Sequence, residues 1–376
     1  MAVEAEGVEL DPTPPQEAQA SSEADAPSRR PARSTLRRAS APDAEKPATI
    51  YDVAREAGVS HQTVTRYLNG FEGIRPATRE RVAEALRRLD YRPNLTARSL
   101  TTGRSHRIGA LTHEIDQFGP SKIIQGATAA ARDAGFVLDI VTLDMGSPQS
   151  IAEALDLLRL HDLAGILALS STDEMTQAFE AAEFSVPVYI GAEQDDLLSG
   201  HPTELSTVGL PALIDYLSEL GHTRFVHIAG PMAWSAARNR AHAFEAAVAH
   251  HGLTPRRVLH GDWSARSGYE AIRALGSSLD ATAVIAANDQ MALGAMLALA
   301  EAGLDVPGDV SVTGIDDVPE AAYYAPPLTT LRMDFAAQGR VAVRNLIRRI
   351  TNEESSTEAP PAPQLVVRRS TGPAAS

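Results

Sequence analysis

The sequence predicts a chain of two folded classes: a small all-α helix-turn-helix headpiece, followed by an α/β core of two lobes with parallel sheets. Three observations carry this. From Pro47 to Arg104, apolar residues recur at helical spacing in short blocks separated by turn signals. From Arg107 onward, short apolar runs of strand length alternate with amphipathic helical stretches. Charge also changes sign between the two parts. Residues 47–104 hold ten arginines against six acids, whereas the whole chain of 376 residues has a formal net charge of −14. A phosphate backbone would be met by the one basic segment, with the acidic bulk held away from it.

Composition removes several classes. A 44% hydrophobic content can fill real cores over this length. The chain has no cysteine, hence no disulfide framework and no thiolate chemistry. No apolar run is long enough to cross a bilayer. The opening MAVEAEGVELDPTPPQ lacks the basic start and apolar core of a secretory signal, so a cytoplasmic address is expected. Residues 1–46, rich in Ala, Pro, Ser and Glu, read as a disordered tail, because they cannot bury enough surface to offset chain entropy. Its run RRPARSTLRR is either a loose electrostatic contact with DNA or a solvated basic tail.

The headpiece is expected over 47–92. Thr49 with Asp52 reads as a capping box opening a helix in which Ile50, Val53, Ala54 and Ala57 share a face. Gly58 supplies a left-handed stop. Ser60 caps a second helix, with Val64 and Leu68 inward and His61, Gln62, Thr65, Arg66 and Asn69 outward. Pro76 suits the first turn of a third helix, whose Val82, Leu86 and Leu89 complete a small core. The second helix thus shows its polar face near its N-terminal end, the part that a helix-turn-helix inserts into the major groove. Glutamine can pair with adenine, arginine bidentately with guanine, and hydroxyls with phosphate. An ordinary surface helix would show the same polar face; the turn, the cap and the local arginines together favour DNA.

The stretches TIYDVAREAGVSHQTVTRYLNG and TRERVAEALRRLDYRPNLTARSL resemble the headpiece of the lactose-repressor (LacI) family of bacterial transcription regulators over about sixty contiguous residues. The resemblance implies base contacts from His61, Gln62 and Arg66, and phosphate or sugar contacts from Tyr51, Ser60, Thr63, Thr65 and Asn69. Thr49 is counted with this DNA-binding set. Where His61 stands, the lactose branch has tyrosine, so a different operator is expected.

Residues 93–106 form the linker. Asn94 can cap a short helix bearing Ala97 and Leu100, too short to be stable alone. The resemblance implies that it folds when a homodimer sits on a palindromic operator, with Leu100 wedged into the minor groove and Ala97 small enough to let two such helices approach. An inserted apolar side chain costs unstacking energy of a few kcal/mol and bends the DNA towards more protein surface.

The core is expected over 107–372. The runs RIGALT, FVLDIVTL, GILALS, PVYIG, FVHIAG, AVIAAN and SVTGI are strands, with helices such as SKIIQGATAAARDAG and LPALIDYLSELG between them. The resemblance sharpens this to a two-lobed periplasmic-binding-protein-like architecture, the N-lobe taking about 107–204 and 335–362 and the C-lobe about 205–334 and 363–372. QLVVRRSTGP resembles the last strand of that core, and with no heptad-rich tail after it a dimer is expected rather than a tetramer.

The inter-lobe cleft would hold a small effector. Trp263 offers an indole suited to the apolar face of a pyranose. Asn288 and Asp316 fall just past strand ends, where open α/β sheets place ligand groups, and Arg240 adds a guanidinium; such groups engage paired hydroxyls. A core tryptophan and a helix-capping asparagine are the plainer readings of two of these. The resemblance makes all four effector contacts and adds Phe118, Pro120 and Ile123 on the other wall. The motifs ANDQMALGAM and PPLTTLRMDF are near matches to the lactose branch, pointing to a galactoside or similar disaccharide. Two departures alter the expected pocket: Met333 replaces a glutamine, and Gly191 and Ala192 stand near the place of an acid.

Function is therefore expected to be sequence-specific repression relieved by a sugar. A corepressor-dependent regulator taking a purine or other small metabolite is the alternative on the same fold, and a sugar carrier or sugar-processing enzyme lies further off. Eleven histidines are present, but no HExxH, Cys/His metal spacing, G-x-S-x-G elbow or phosphate-cradling GxxxxGK. Catalytic residues, metal and cofactor are expected to be none.

Overall fold

The computed structural model describes residues 48–68, 70–92, 105–143, 148–169, 172–191, 193, 195–200, 202–353 and 357–375. The expected tail, Asn69, the linker residues Asn94, Ala97 and Leu100, and Ala192 lie outside the described residues. The chain divides into two compact units, residues 1–92 and 93–376.

The first unit is three helices: α1 (Ile50–Ala57), α2 (His61–Leu68) and α3 (Pro76–Arg88). At the start of α1 the Asp52 N–H donates to Thr49 Oγ1 and the Thr49 N–H donates back to Asp52 Oδ2, at 3.4 and 2.9 Å. Gly58 ends the helix at φ 62°, a conformation in which a Cβ would be strained. Val53, Ala54, Ala57, Val64, Val82 and Ala85 are buried, with Leu68, Leu86 and Leu89 packed against them. So small a core leaves little margin. An N-cap worth about 1 kcal/mol is therefore a sizeable share of its stability.

In the second unit, β1 (Arg107–His113), α4 (Phe118–Asp133), β2 (Val137–Leu143), α5 (Pro148–Leu160), β3 (Gly165–Ala168), α6 (Asp173–Ala181) and β4 (Val188–Ile190) build the N-lobe. Its sheet runs β2-β1-β3-β4, all parallel. Ile108–His113 and all of β3 are buried, as strands covered on both faces must be. The chain then crosses to the C-lobe: α7 (Leu210–Glu219), β5 (Phe225–Ala229), α8 (Ser235–His250), β6 (Arg257–His260), α9 (Ala265–Leu275), β7 (Ala283–Ala286), α10 (Asp289–Glu301), β8 (Ser311–Asp316) and β9 (Thr329–Arg332). It returns for α11 (Phe335–Thr351), which packs on α4 and β3, and crosses once more to β10 (Gln364–Val366), antiparallel to β9. The C-lobe sheet order is β10-β9-β8-β7-β5-β6.

Parallel sheets, alternation and repeated crossing are as the sequence led us to expect. Two strands are additional. The β6 stretch is an edge whose outer residues are exposed. In β9 the apolar signal is masked by Thr329 and Thr330, both fully buried. Their polar groups are satisfied by Ser370, Thr371 and Asp289.

The α4–α11 packing sets one wall of the cleft. A Cβ on Gly126 would lie 1.9 Å from Ala336 O, and one on Gly339 1.9 Å from Ile123 O. Only glycine allows these backbones to meet, and the contact fixes Ile123 and Phe335 where they face the cleft. Among the described residues no helix is long and apolar enough to cross a membrane.

Candidate nucleic-acid interface and effector cleft

In the headpiece, Ser60 Oγ accepts from the Thr63 N–H at 3.2 Å and lies 3.0 Å from Thr63 Oγ1, capping α2. His61, Gln62, Thr65 and Arg66 are exposed along the helix. Tyr51, 62% exposed, sets its ring 5.3 Å from that of His61, so α1 contributes to the same polar face. Thr65 Oγ1 donates to His61 O at 3.0 Å and must rotate before it can donate to a phosphate. The Thr49 hydroxyl donates to Asp52 Oδ2 at 2.6 Å as part of the cap at the start of α1.

In the core, the strands of both sheets end at a common cavity. All seven residues expected to bind effector line it: Phe118, Pro120 and Ile123 from the N-lobe, Arg240, Trp263, Asn288 and Asp316 from the C-lobe. Asp316 ends β8 at φ 118°, and its Oδ1 is buried without a hydrogen-bond partner. The nearest cation is Arg240, whose Nη2 is 3.7 Å away. Burial pushes the Asp316 carboxyl up, and the Arg240 charge opposes that rise. Behind it Asp289 accepts from Thr330 Oγ1 at 2.6 Å and from the Val318 N–H at 2.8 Å, tying α10 to β9 and to the loop that follows Asp316.

Arg240 donates through Nη1 to Ala287 O, while its Nε is buried and unpartnered. Its guanidinium lies 5.3 Å over the Trp263 ring. Trp263 is only 8% exposed, with Nε1 buried and unpartnered. Its benzo edge fills the space a side chain at Gly230 would take, 2.4 Å from such a Cβ. Asn288 is fully engaged: its Oδ1 caps α10 by accepting from the Met291 N–H at 2.8 Å, and its Nδ2 donates to Trp263 O and Gln290 Oε1, both at 2.9 Å. In this arrangement Asn288 acts by holding Trp263 in place.

Sequence reasoning missed several residues of the lining, including Glu114, Glu193, Trp234 and Gln338. Trp234 is the most consequential. Its ring stands 5.8 Å from Trp263 at 68°, and 4.6 Å from His113 of β1, edge-on at 82°. The chain has two tryptophans, and both line the cleft. Trp234 is also a point where the lobes meet, through a backbone bridge to Thr172, and nearby Arg238 reaches Asp173 of α6 at 2.7 Å and Asp195 at 2.6 Å. A signal was present in the placement of WS just after β5, but only the fold shows which strand end faces the other lobe. Met333 packs on the apolar cluster of the C-lobe, so its difference from glutamine does not alter the cleft lining; Gly191 does line it.

Burial holds His113 down to about 4 and His227, on β5, down to about 4 as well. Burial raises Glu193, with Arg240 and Asn239 opposing. Glu114 is raised by burial and by the charges of Asp116 and Asp262. Among the described residues no group of three or more His, Cys, Asp or Glu is placed to hold a metal ion.

A helix-turn-helix with an outward polar face, together with a two-lobed core whose cleft carries unpartnered buried polar atoms, defines a ligand-regulated DNA-binding protein. Residues 49–94 match the model for bacterial regulatory proteins of the lacI family, and residues 214–371 that for a periplasmic binding protein-like domain. The chain is 33% identical over 305 residues to the lactose operon repressor of Escherichia coli strain K12, covering 81% of this chain and 85% of that one. It is 32% identical over 337 residues to the HTH-type transcriptional repressor PurR of Haemophilus influenzae strain Rd, covering 86% and 98%. The crystal structure of the lac repressor dimer bound to operator and the anti-inducer ONPF superposes with a TM-score of 0.76 at 31% identity, over 87% of this chain and all of that one. The chain belongs to the LacI family of bacterial regulatory proteins.

Proposed function

We propose that the chain is a cytoplasmic, homodimeric transcriptional repressor that binds a palindromic operator through its headpieces and releases it when a sugar occupies the cleft. One observation carries the ligand reading. Arg240 Nε, Trp263 Nε1 and Asp316 Oδ1 are buried without hydrogen-bond partners, and the three residues line one cavity. Leaving a buried polar group unpaired costs about 1–3 kcal/mol, so a ligand offering acceptors to the two N–H groups and a hydroxyl to the carboxylate recovers that cost on binding. Neighbouring sugar hydroxyls suit this pattern, and the Trp234 ring, 5.8 Å from that of Trp263 on the same cavity, adds an apolar surface for the C–H face of a sugar ring, which favours a galactoside or other disaccharide. Similarity to the lactose operon repressor supports the same reading.

Mechanistically, the effector need only prefer one arrangement of the lobes. Contacts available to register that preference include the Trp234–His113 ring pair, the Thr172–Trp234 bridge and the Arg238–Asp173 ion pair, all of which span the lobes. A coupling of about 1–3 kcal/mol corresponds to a 5- to 150-fold change in operator affinity. In the headpiece, His61, Gln62 and Arg66 read bases while Tyr51, Ser60, Thr63 and Thr65 meet the backbone; Asn69, Asn94, Ala97 and Leu100 are assigned to the same interface from sequence.

A second reading, favoured by the match to PurR, keeps the fold and reverses the sign, with a purine-like corepressor strengthening DNA binding. Fluorescence of the two tryptophans against a panel of sugars and nucleobases, repeated with symmetric duplexes present, separates them. Binding of a sugar that weakens DNA affinity supports induction; a nucleobase that strengthens it supports the second reading; response to neither refutes both.

A further inference from the structure

The headpiece holds an aromatic side chain that its core does not use. Phe71 follows α2, is 52% exposed, and takes no part in the apolar cluster built on Val53, Val64 and Val82. An exposed phenylalanine on so small a unit gains little from burial, yet its position is closely specified. Its N–H donates to Arg66 O at 3.0 Å, and its carbonyl accepts from Arg79 Nη2 at 3.2 Å. The ring lies over Gly73, where a Cβ would be 2.5 Å from Cε1 and 2.9 Å from Cζ. With any side chain at Gly73 the ring would have to move. Over that ring sits the Arg66 guanidinium, its Cζ 5.6 Å from the centroid. Phe71 and Arg66 share their concavity with Ser60, Thr63, Arg75 and Thr78.

We infer that Phe71 is a positioning residue for Arg66, holding its guanidinium in place for base reading; this rests on the assignment of Arg66 as a base contact. The chemistry fits. A guanidinium stacks by its face and donates by its edge, so an aromatic ring beneath it restricts the arginine rotamers without using the paired donors that guanine O6 and N7 require. Selectivity then comes from the edge, and its sharpness from the ring. Gly73 is what gives the ring its seat.

The test uses the full-length chain. A duplex is selected from a pool of symmetric randomised sequences, and affinities are measured by anisotropy on it, on every single-base-pair variant, and on an unrelated duplex of equal length. Arg66→Ala identifies the base pair that Arg66 reads. At that pair Phe71→Ala is expected to lose about two- to fivefold of discrimination, the range that a solvent-exposed cation–π contact supplies. Phe71→Tyr should retain it and Phe71→Leu should lose it, while affinity for the unrelated duplex stays unchanged. Equal losses at all positions, or full discrimination with Phe71→Leu, overturn the inference and leave an apolar or general backbone role. If Arg66→Ala itself shows no single affected pair, the base-reading assignment fails, and the inference falls with it for that separate reason. Helical circular dichroism of each variant, matching the parent, ensures that the losses are not unfolding.

Discussion

His227 is fully buried on β5, the strand next to the β6 edge of the C-lobe sheet, stacked on Phe244 with ring centroids 4.7 Å apart, its Nδ1 2.8 Å from Ile285 O. Its Nε2 has no partner. Burial, reinforced by the charges of Arg240 and His260, lowers it from 6.5 to about 4. The unfolded chain therefore takes up a proton below pH 6.5 that the folded chain refuses until about pH 4. Stability from this group is intact above that window and falls as pH drops through it. At 1.36 kcal/mol per unit of difference, the loss between pH 7 and pH 5 is about 2 kcal/mol. Replacing His227 by Leu removes the titration. It also removes one hydrogen bond, which costs about 1 kcal/mol at any pH. Urea unfolding followed by tryptophan fluorescence, at pH 7 and pH 5 for parent and variant, isolates the term, because His113, Asp316 and Glu193 titrate alike in both. The expected result is a variant less stable than the parent at pH 7 and equal or better at pH 5. Parallel pH profiles would refute a buried, neutral His227.

Three further outcomes are expected. Trp263→Ala and Trp234→Ala should each abolish effector response while leaving operator binding intact, and Trp263→Ala should also lower core stability by roughly 3–5 kcal/mol as a buried indole is lost; effector titrations that superimpose on the parent's would remove these residues from the site. Asp316→Asn keeps the shape and deletes a buried charge whose ionised form costs stability, so urea midpoints at pH 8 should hold or rise as effector binding disappears, and a fall in midpoint would contradict the charge assignment. Leu100→Ala should weaken operator binding and reduce bending measured by fluorescence transfer between duplex ends, with unchanged bending counting against a minor-groove wedge.

Local chemistry determined much of this protein in advance. Thr49 and Asp52, Gly58, Ser60 and Pro76 specify helix starts and stops by interactions within a few residues, and the period of apolar residues separates helices from strands without reference to anything distant. That is why the headpiece and the parallel α/β pattern were readable. The seven cleft residues were placed by family resemblance and by their proximity to strand ends, which a doubly wound sheet turns towards ligand.

Tertiary structure decided what depends on residues far apart in the chain. Trp234 joins the site because β5 ends opposite β1, setting its ring against His113, and no sequence period encodes that encounter. Met333 leaves the site because β9 directs it into apolar packing. The polar strand Thr329–Arg332 exists because Asp289, Ser370 and Thr371 satisfy threonines that alone would read as loop. Even the aspect of Trp263 was set at a distance: Gly230 takes its benzo edge, Arg240 lies over its ring and Asn288 holds its carbonyl, so that its nitrogen, more than an open face, is what it offers. Short-range rules fix the elements; which polar atoms end up buried without partners depends on where those elements meet.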